Sequence, residues 1–414
     1  MVDLMGKQVI CYIQAYDCEE TVAAAMESVL NQTYENWLCF VLSNGNINTP
    51  KTPNATFDAI KNAASRDRRF IVMNKRTNDM GMCFVLLPYL AQCFPDSYFC
   101  TLDGDDEYEP DFFARGVALA EAENLDIVAC GTRIIQKHRA GDRESTLVSQ
   151  RQILEDLIVR DEDFTNQFPL YKTFFNELWG KLYRSRVFLE GESRQHIYER
   201  YRGRFLPDTL FTINCLRKSQ AIGVLSGTCH RYFLYEQRKS SNATALTNAR
   251  AVFKQEKQYS GRDRYSPYAT FGRVISFLRS RGQIQGDVYE YIQAVLFGWL
   301  EDIYNKSLLP IQDEAVVASL AARLVFHPKF DELMRYPGSG KYDNLRDYQQ
   351  RIDFCKRLRH TLMAQKMVRN RRVLWRKDLP CTQATRRQLD RTIARLEETI
   401  RTLSELKEAR HDAE

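Results

Sequence analysis

Tyr98-Phe99-Cys100-Thr101-Leu102-Asp103-Gly104-Asp105-Asp106-Glu107-Tyr108-Glu109-Pro110 is the stretch on which the reading of this chain turns. An apolar run with strand character ends in three carboxylates, and a proline then opens an amphipathic segment. A strand that delivers acids into a turn ahead of a helix places them at the carboxyl edge of a sheet, where open α/β folds bind ligands. Carboxylates this close repel one another and stay ionised only beside a cation or in abundant solvent. Asp103 and Asp105, separated by Gly104, can both reach one hard divalent ion and leave ligand positions for a diphosphate. The same residues also read as a solvated acidic turn with an N-capped helix behind it, so the surroundings must decide.

Working outward, Gln8 to Ile13 is a nearly continuous apolar run, as in a strand buried on both faces. Glu19 to Leu30 reads as a helix with acids in its first turn. Trp37 to Leu42 and Phe70 to Met73 read as further strands, with a turn at Ser43-Asn44-Gly45-Asn46 and a helix over Phe57 to Ser65 between them. Another helix follows Asn78-Asp79-Met80-Gly81, and beyond the acidic turn Asp111 to Ala122 is helical and Asp126 to Cys130 strand-like. This alternation predicts a mostly parallel α/β sheet wrapped by helices on both faces. From about residue 145 the pattern is mixed and mostly helical, with Ala221 to Leu225 returning to the sheet. Beyond residue 250 nothing reads as strand, and helices are expected over 267–280, 286–305, 313–335 and 345–368. The division expected is 1–245 as an α/β domain, 246–378 as a helical domain and 379–414 as an amphipathic tail.

The 414 residues carry 59 basic and 53 acidic side chains, a balance that excludes a nucleic-acid binder, and 44% are hydrophobic, enough for a large core. Eleven scattered cysteines without a Cys-x-x-Cys pair read as small buried hydrophobes in a reducing compartment. Met1 to Lys7 runs straight into a strand and no window is apolar enough to span a membrane, so a cytoplasmic location is expected.

Charge concentrates in Lys356 to Lys377, where leucine, valine, methionine and Trp375 interleave with arginine and lysine. Residues 356–377 read either as an interfacial helix drawn to anionic lipid, at about 1 kcal/mol per basic residue near the surface, or as the solvated face of a packed helix. In the tail, Leu389, Ile393, Leu396, Ile400 and Leu403 alternate steps of four and three. That seam, within 389–406, either pairs with a second copy as a homodimer or folds back as a capping helix.

Taken in order, several motifs resemble the inverting family 2 glycosyltransferases of GT-A fold that assemble bacterial surface polysaccharides. They are Val9 to Tyr16, Ser28-Val-Leu-Asn-Gln-Thr-Tyr34, Asp103-Gly-Asp105-Asp106, Leu178-Trp179-Gly-Lys181-Leu-Tyr183 and Leu206-Pro-Asp208-Thr-Leu-Phe211. The resemblance covers about residues 7–240. It implies a nucleotide diphosphate-sugar donor, usually a UDP-sugar, together with Mn²⁺ or Mg²⁺, and a glycan or lipid-linked oligosaccharide acceptor at the inner face of the membrane.

By the same resemblance Asp105 holds the metal, and Asp103 assists at the ribose or through a metal-bound water. Tyr16, Asn44 and Gly81 belong to the donor site, and Asn44 lies near the base. Asp208 is the general base that an inverting displacement needs; it also reads as an N-cap for the helix after it. Trp179 and Tyr183 stack on sugars with Lys181 near phosphate or acceptor, although Trp179 also reads as core. His230 is a further candidate metal ligand. Asp106 reads as a support behind the metal ligands or, preferably, as a cap of the next helix.

The chain departs from the family pattern in several places. Gln14-Ala15-Tyr16-Asp17 replaces Pro-x-Tyr-Asn, and Ser43-Asn44-Gly45-Asn46 replaces Asp-Asp-Gly-Ser, which removes the carboxylate expected at the uracil imide. Leu86-Leu87-Pro88 replaces Ala-Arg-Asn, and Pro207 stands where a glutamate usually precedes the base. Two rivals follow: a degenerate nucleotide-sugar-binding assembly subunit, and a sugar-phosphate nucleotidyltransferase. The second is opposed by the lack of a basic, glycine-rich phosphate loop after the first strand.

Overall fold

The computed structural model describes residues 7–45, 54–76, 79, 81–138, 145–188, 206–235, 267–309, 314–335, 348–375 and 383–411. The expected boundaries at 245/246 and 378/379 lie outside the described residues, as do 376 and 377 of the basic segment. The chain forms two compact units, Met1–Ser240 with Ser276–Gln283, and Ser241–Ile275 with Ile284–Glu414.

The first unit is built on one sheet. β1 (Val9–Ala15), β2 (Trp37–Asn44), β3 (Phe70–Lys75) and β4 (Tyr98–Asp103) are parallel, and their order in space is 3-2-1-4. β1, β2 and β4 are buried almost throughout, as their unbroken apolar runs require of a sheet covered on both faces. α1 (Val22–Leu30) puts Val22, Ala25, Met26 and Val29 into the core at steps of three and four. It begins after Glu19 and Glu20, so its first turn carries no acid; Glu19 instead accepts from Thr56 Oγ1 at 2.9 Å. The chain reverses its winding between β1 and β4, which leaves a crevice at their carboxyl ends.

The expectation of a mostly helical stretch from residue 145 is overturned. The sheet continues through β5 (Glu107–Tyr108), β6 (Ile127–Lys137), β7 (Ser145–Arg151), β8 (Leu157–Arg160), β9 (Lys181–Arg184) and β10 (Ala221–Tyr235). β9 lies antiparallel between β4 and β6, and β10 runs parallel to β6 for most of its length, well beyond the predicted Leu225. The reason is local: β7 is exposed on nearly every residue and β8 and β9 are four residues each, so none carries a burial rhythm. Flanking helices include α2 (Ala55–Ala64), α3 (Met82–Cys93), α4 (Phe112–Ala122) and α5 (Pro207–Lys218). α6 (Pro267–Arg281) contributes its last residues to this unit.

The second unit is helical, as expected: α7 (Gly286–Ile303), α8 (Glu314–Val325), α9 (Pro328–Arg335), α10 (Tyr348–Trp375) and α11 (Gln383–His411). Leu389, Leu396 and Leu403 of α11 are fully buried, packed where α11 lies along α8 and α10 of the same chain. In the basic segment on α10, Leu358 and Leu362 are buried, while Arg357, Arg359 and Lys366 pair with Glu301, Glu397 and Asp390. No helix among the described residues is long and apolar enough to cross a membrane. No disulfide joins the described cysteines, which are buried except Cys93, exposed on α3.

Candidate active site

The acidic turn is fixed by backbone bonds to elements that precede it in sequence. Asp103 is paired with Gln14 across β1 and β4, and Gly104 N donates to Gln14 O at 3.0 Å. Gly104 O accepts from Thr21 Oγ1 at 2.9 Å. A Cβ on Gly104 would stand 2.8 Å from Cys18 Sγ and 3.1 Å from Ala15 Cβ, so the turn lies this close to β1 because the middle residue has no side chain. The descending arm is held by the Ser28–Tyr34 motif. Tyr108 N donates to Ser28 Oγ at 3.1 Å, Gln32 Nε2 donates to Glu109 O at 2.7 Å, Phe113 N donates to Gln32 Oε1 at 3.0 Å, and Thr33 N donates to Pro110 O at 2.9 Å. Two motifs that are far apart in sequence are thus one device, and its effect is to fix the acidic turn at the carboxyl end of β4.

Asp103 is open to solvent at the strand end and Asp105 is half-buried. Asp103 is nevertheless ringed by protein, and that crowding, then repulsion from Asp105 and Asp208, raises its proton affinity to about 7. A side chain reached by solvent yet hemmed in by protein and by like charge sits in a concave, electronegative setting. Asp106 behaves differently. It is fully buried, its Oδ1 accepts from Phe233 N at 3.1 Å, and α4 begins at Phe112, so it caps no helix. Its Oδ2 stands 3.4 Å from Nε2 of His230, which is also fully buried. Burial drives both groups toward their neutral forms, the acid upward and the imidazole downward.

The opposite wall carries Asp208. Leu206 adopts a left-handed conformation (φ 50°), Pro207 opens α5, and Asp208 stands inside the first turn rather than at the cap. Such a conformation is strained for leucine, and strain of this kind gathers at functional sites. Thr209 Oγ1 ties the start of the helix to Asn176 O at 3.0 Å, and Arg281 donates to the carbonyls of Leu216 and Arg217 at its far end, at 3.0 and 3.1 Å. Asp208 is half-buried, and its proton affinity is raised to about 6 by burial first and by Glu177, against the opposing charge of Lys181.

Trp179 lies on the loop tied to this helix through Asn176, and Lys181 opens β9 just after it. One face of the indole is stacked on His230, with centroids 4.3 Å apart at 17°, and Tyr232 is also stacked with it at 5.8 Å. Lys181 is fully buried, and its Nζ donates to Glu177 O at 2.6 Å and to Trp179 O at 3.0 Å. Burial pulls its pKa down to about 7. Tyr183, another expected sugar-stacking ring, is fully buried and donates to Leu178 O at 3.2 Å. Sequence reasoning missed Glu177 and Arg151, which pair at 3.2 Å beside this loop. Arg151 ends β7, and nothing in its neighbouring residues distinguishes it from a surface arginine.

On the donor side, Tyr16 is exposed just after β1. Asn44 is fully buried at the end of β2; its Nδ2 donates to Asp79 O at 3.0 Å and its Oδ1 accepts from Asp79 N at 3.2 Å. Asp79 Oδ1 in turn accepts from Gly81 N at 3.0 Å at the head of α3. Asp103 therefore lies near enough to both Asp105 and Asp208 to feel their charge, and Asn44 fastens the loop that leads to Gly81.

Among the described residues no group of three or more His, Cys, Asp or Glu is spaced to hold a metal by itself. A Mg²⁺-type ion needs less: one or two carboxylates, with phosphate oxygens and waters completing the shell. Asp103 and Asp105 fit that donor set, and the raised proton affinity of Asp103 marks a place where positive charge is wanted.

An open, mostly parallel sheet whose winding reverses between β1 and β4 is an architecture that binds ligands at the carboxyl ends of those strands. Residues 11–190 match the model of glycosyl transferase family 2. The chain is 28% identical over 118 residues to an uncharacterized glycosyltransferase of Haemophilus influenzae, covering 28% of this chain and 34% of that one. It is 22% identical over 222 residues to the uncharacterized glycosyltransferase EpsJ of Bacillus subtilis, covering 53% and 59%. The matches thus span about a third and about three fifths of those curated relatives. Among solved structures it is similar to S. aureus TarS 1–349, with 12% identity, a TM-score of 0.47, and 79% and 83% of the two chains covered.

Proposed function

We propose that this protein is a metal-dependent inverting glycosyltransferase. It moves one sugar from a nucleotide diphosphate-sugar, a UDP-sugar by the family resemblance, to a glycan or lipid-linked oligosaccharide at a membrane surface. The observation that carries the reading is the approach of Asp208 on α5 to Asp103 at the end of β4, close enough that Asp103 feels its charge, with Asp105 two residues on in the acidic turn.

In this reading the acceptor hydroxyl loses its proton to Asp208 as its oxygen attacks the anomeric carbon. The bond from that carbon to the diphosphate breaks in the same step, and the nucleoside diphosphate leaves. Asp105, with Asp103 beside it, would hold the divalent ion; when bound, that ion stabilises the charge growing on the leaving diphosphate. The raised proton affinity of Asp208 suits a base that works near neutral pH.

The reading is tested by thermal-shift titration of the wild type and Asp105→Ala with UDP, GDP, CDP and their sugars, with and without Mn²⁺. A ligand at a hundred times its dissociation constant adds about 2.7 kcal/mol. A metal-dependent shift with one nucleotide, absent in Asp105→Ala, supports the donor site, and sugar transfer by the same protein completes the case. Binding without turnover on any acceptor would favour the degenerate assembly subunit, a reading to which the neutral, backbone-bonded Asn44 lends some support.

A further inference from the structure

The loop that Asn44 fastens brings a charged pair to the edge of the sheet where β2 and β3 end. Lys75 closes β3 in register with Asn44, the last residue of β2. Its Nζ lies 3.1 Å from Asp79 Oδ2, and the two side chains keep 29% and 18% of their surface, enough for a ligand to reach them. The pair is held from several sides. Asn44 grips the main chain of Asp79, Nδ2 to O at 3.0 Å and Oδ1 to N at 3.2 Å. Gly81 N donates to Asp79 Oδ1 at 3.0 Å. An ammonium and a carboxylate are therefore displayed side by side, oriented by these bonds.

The geometry points to the Lys75–Asp79 pair as the subsite that selects the base of the nucleotide donor, Asp79 taking a ring N–H and Lys75 the carbonyl next to it. The inference rests on the reading of the acidic turn as the diphosphate site. The carboxyl ends of β1 to β4 form one edge, where open parallel sheets bind ligands. The strand order 3-2-1-4 puts β3 three spacings from β4, about 14 Å. A ligand extended along that edge, with its diphosphate at Asp103 and Asp105, carries its far end toward Lys75 and Asp79. A carboxylate only accepts and an ammonium only donates. Uracil and guanine each present a ring N–H beside a carbonyl, which the pair complements. Cytosine and adenine present a bare ring nitrogen beside an amino group, the reverse order. Against those bases the polar groups of the site lose their partners, and that loss is what rejects them.

Calorimetric titration of the full chain with UDP, GDP, CDP and ADP in Mn²⁺ tests the assignment without an acceptor. The wild type is expected to bind UDP or GDP about tenfold or more tightly than CDP and ADP, and the tighter of the two names the base. Asp79→Asn keeps the main-chain grip of Asn44 and an oxygen for Gly81 N. It should lose about tenfold for the preferred nucleotide, the difference between a charged and a neutral acceptor, and gain for CDP because its amide turns either way. Lys75→Met, which removes the donor to the carbonyl, should narrow the same gap. The quantity read is a ratio within each protein, so a general loss of folded protein lowers every nucleotide alike and does not imitate the result. A gap unchanged in both variants, or a wild type that binds all four nucleotides alike, overturns the proposal and leaves the diphosphate site standing. A wild type that binds no nucleotide sinks the donor reading and the base subsite together.

Discussion

The side-chain amide of Asn44 and the backbone of Asp79 are clasped both ways, Nδ2 to O at 3.0 Å and N to Oδ1 at 3.2 Å. Asn44, which stands where the family resemblance expects a carboxylate, therefore has a structural duty: it ties the end of β2 to Asp79 ahead of α3.

Asn44→Ala should lower stability by roughly 1 kcal/mol, because it removes two hydrogen bonds to the half-buried backbone of Asp79. Asn44→Asp, which restores the family carboxylate, should also destabilise. It keeps the acceptor for Asp79 N but turns a charged oxygen toward Asp79 O at a position with no solvent access. Urea denaturation of the three proteins measures this, and an Asn44→Asp protein as stable as the wild type would refute the duty assigned here.

Gly104→Ala tests the close approach that the acidic turn makes to β1. The added methyl meets Cys18 Sγ at 2.8 Å and Ala15 Cα at 3.2 Å. The sulfur can yield, but the backbone of Ala15 cannot, so the turn must move outward by a few tenths of an ångström. The expected outcome is a cost of about 1–3 kcal/mol in stability and a larger loss of metal-dependent nucleotide binding, measured by thermal shift with UDP and Mn²⁺.

The carboxylates of the crevice predict a pH dependence with a definite sign. Asp103 and Asp208 hold their protons to about 7 and about 6 when folded. In the unfolded chain both fall to the ordinary value near 3.9. Between about pH 4 and pH 7 the native state binds more protons than the unfolded state, so these groups make the metal-free protein less stable as pH rises. Asp103→Asn removes one of them. In EDTA the variant should match the wild type at pH 4.5 and become the more stable of the two above pH 7. Denaturant midpoints across that range decide the matter, and parallel curves would refute the crowded setting of Asp103.

What could be read from the sequence follows from burial. β1, β2 and β4 are covered on both faces, so their sequences are apolar without a break and their ends are marked by the acids and turns that the site needs. The Ser28–Tyr34 motif announced a family; its hydrogen bonds to Tyr108, Glu109, Pro110 and Phe113 give the physical reason for that spacing. β7 and β9 were illegible because one is exposed on both faces and the other is too short to show a period. Glu177 was illegible because its partner Arg151, 26 residues earlier on β7, reaches it only in three dimensions. The inward turn of Asp106 toward Phe233 and His230 was missed for the same reason, since an acid before a helix reads as a cap until its partner strand is known.

The tail supplies the last prediction. A seam of leucines seven residues apart on α11 can be satisfied by a second copy or by the chain itself, and the sequence does not distinguish the two. In the structure Leu389, Leu396 and Leu403 have no exposed surface, and the helices beside them are α8 and α10 of the same chain. Arg395 adds a polar clamp on this arrangement, paired with Asp331 on α9 at 2.5 Å and with Glu398 at 2.7 Å. Leu396→Ala should therefore cost about 2–5 kcal/mol, as expected for a buried leucine in a packed helical core. A seam filled within one chain gives a melting temperature independent of protein concentration, whereas a seam shared by two copies raises it with concentration by mass action. Melting the wild type and Leu396→Ala over a hundredfold range of concentration should give two flat lines separated by several degrees. A wild-type line that climbs with concentration and a variant that loses the climb would assign the seam to a dimer instead.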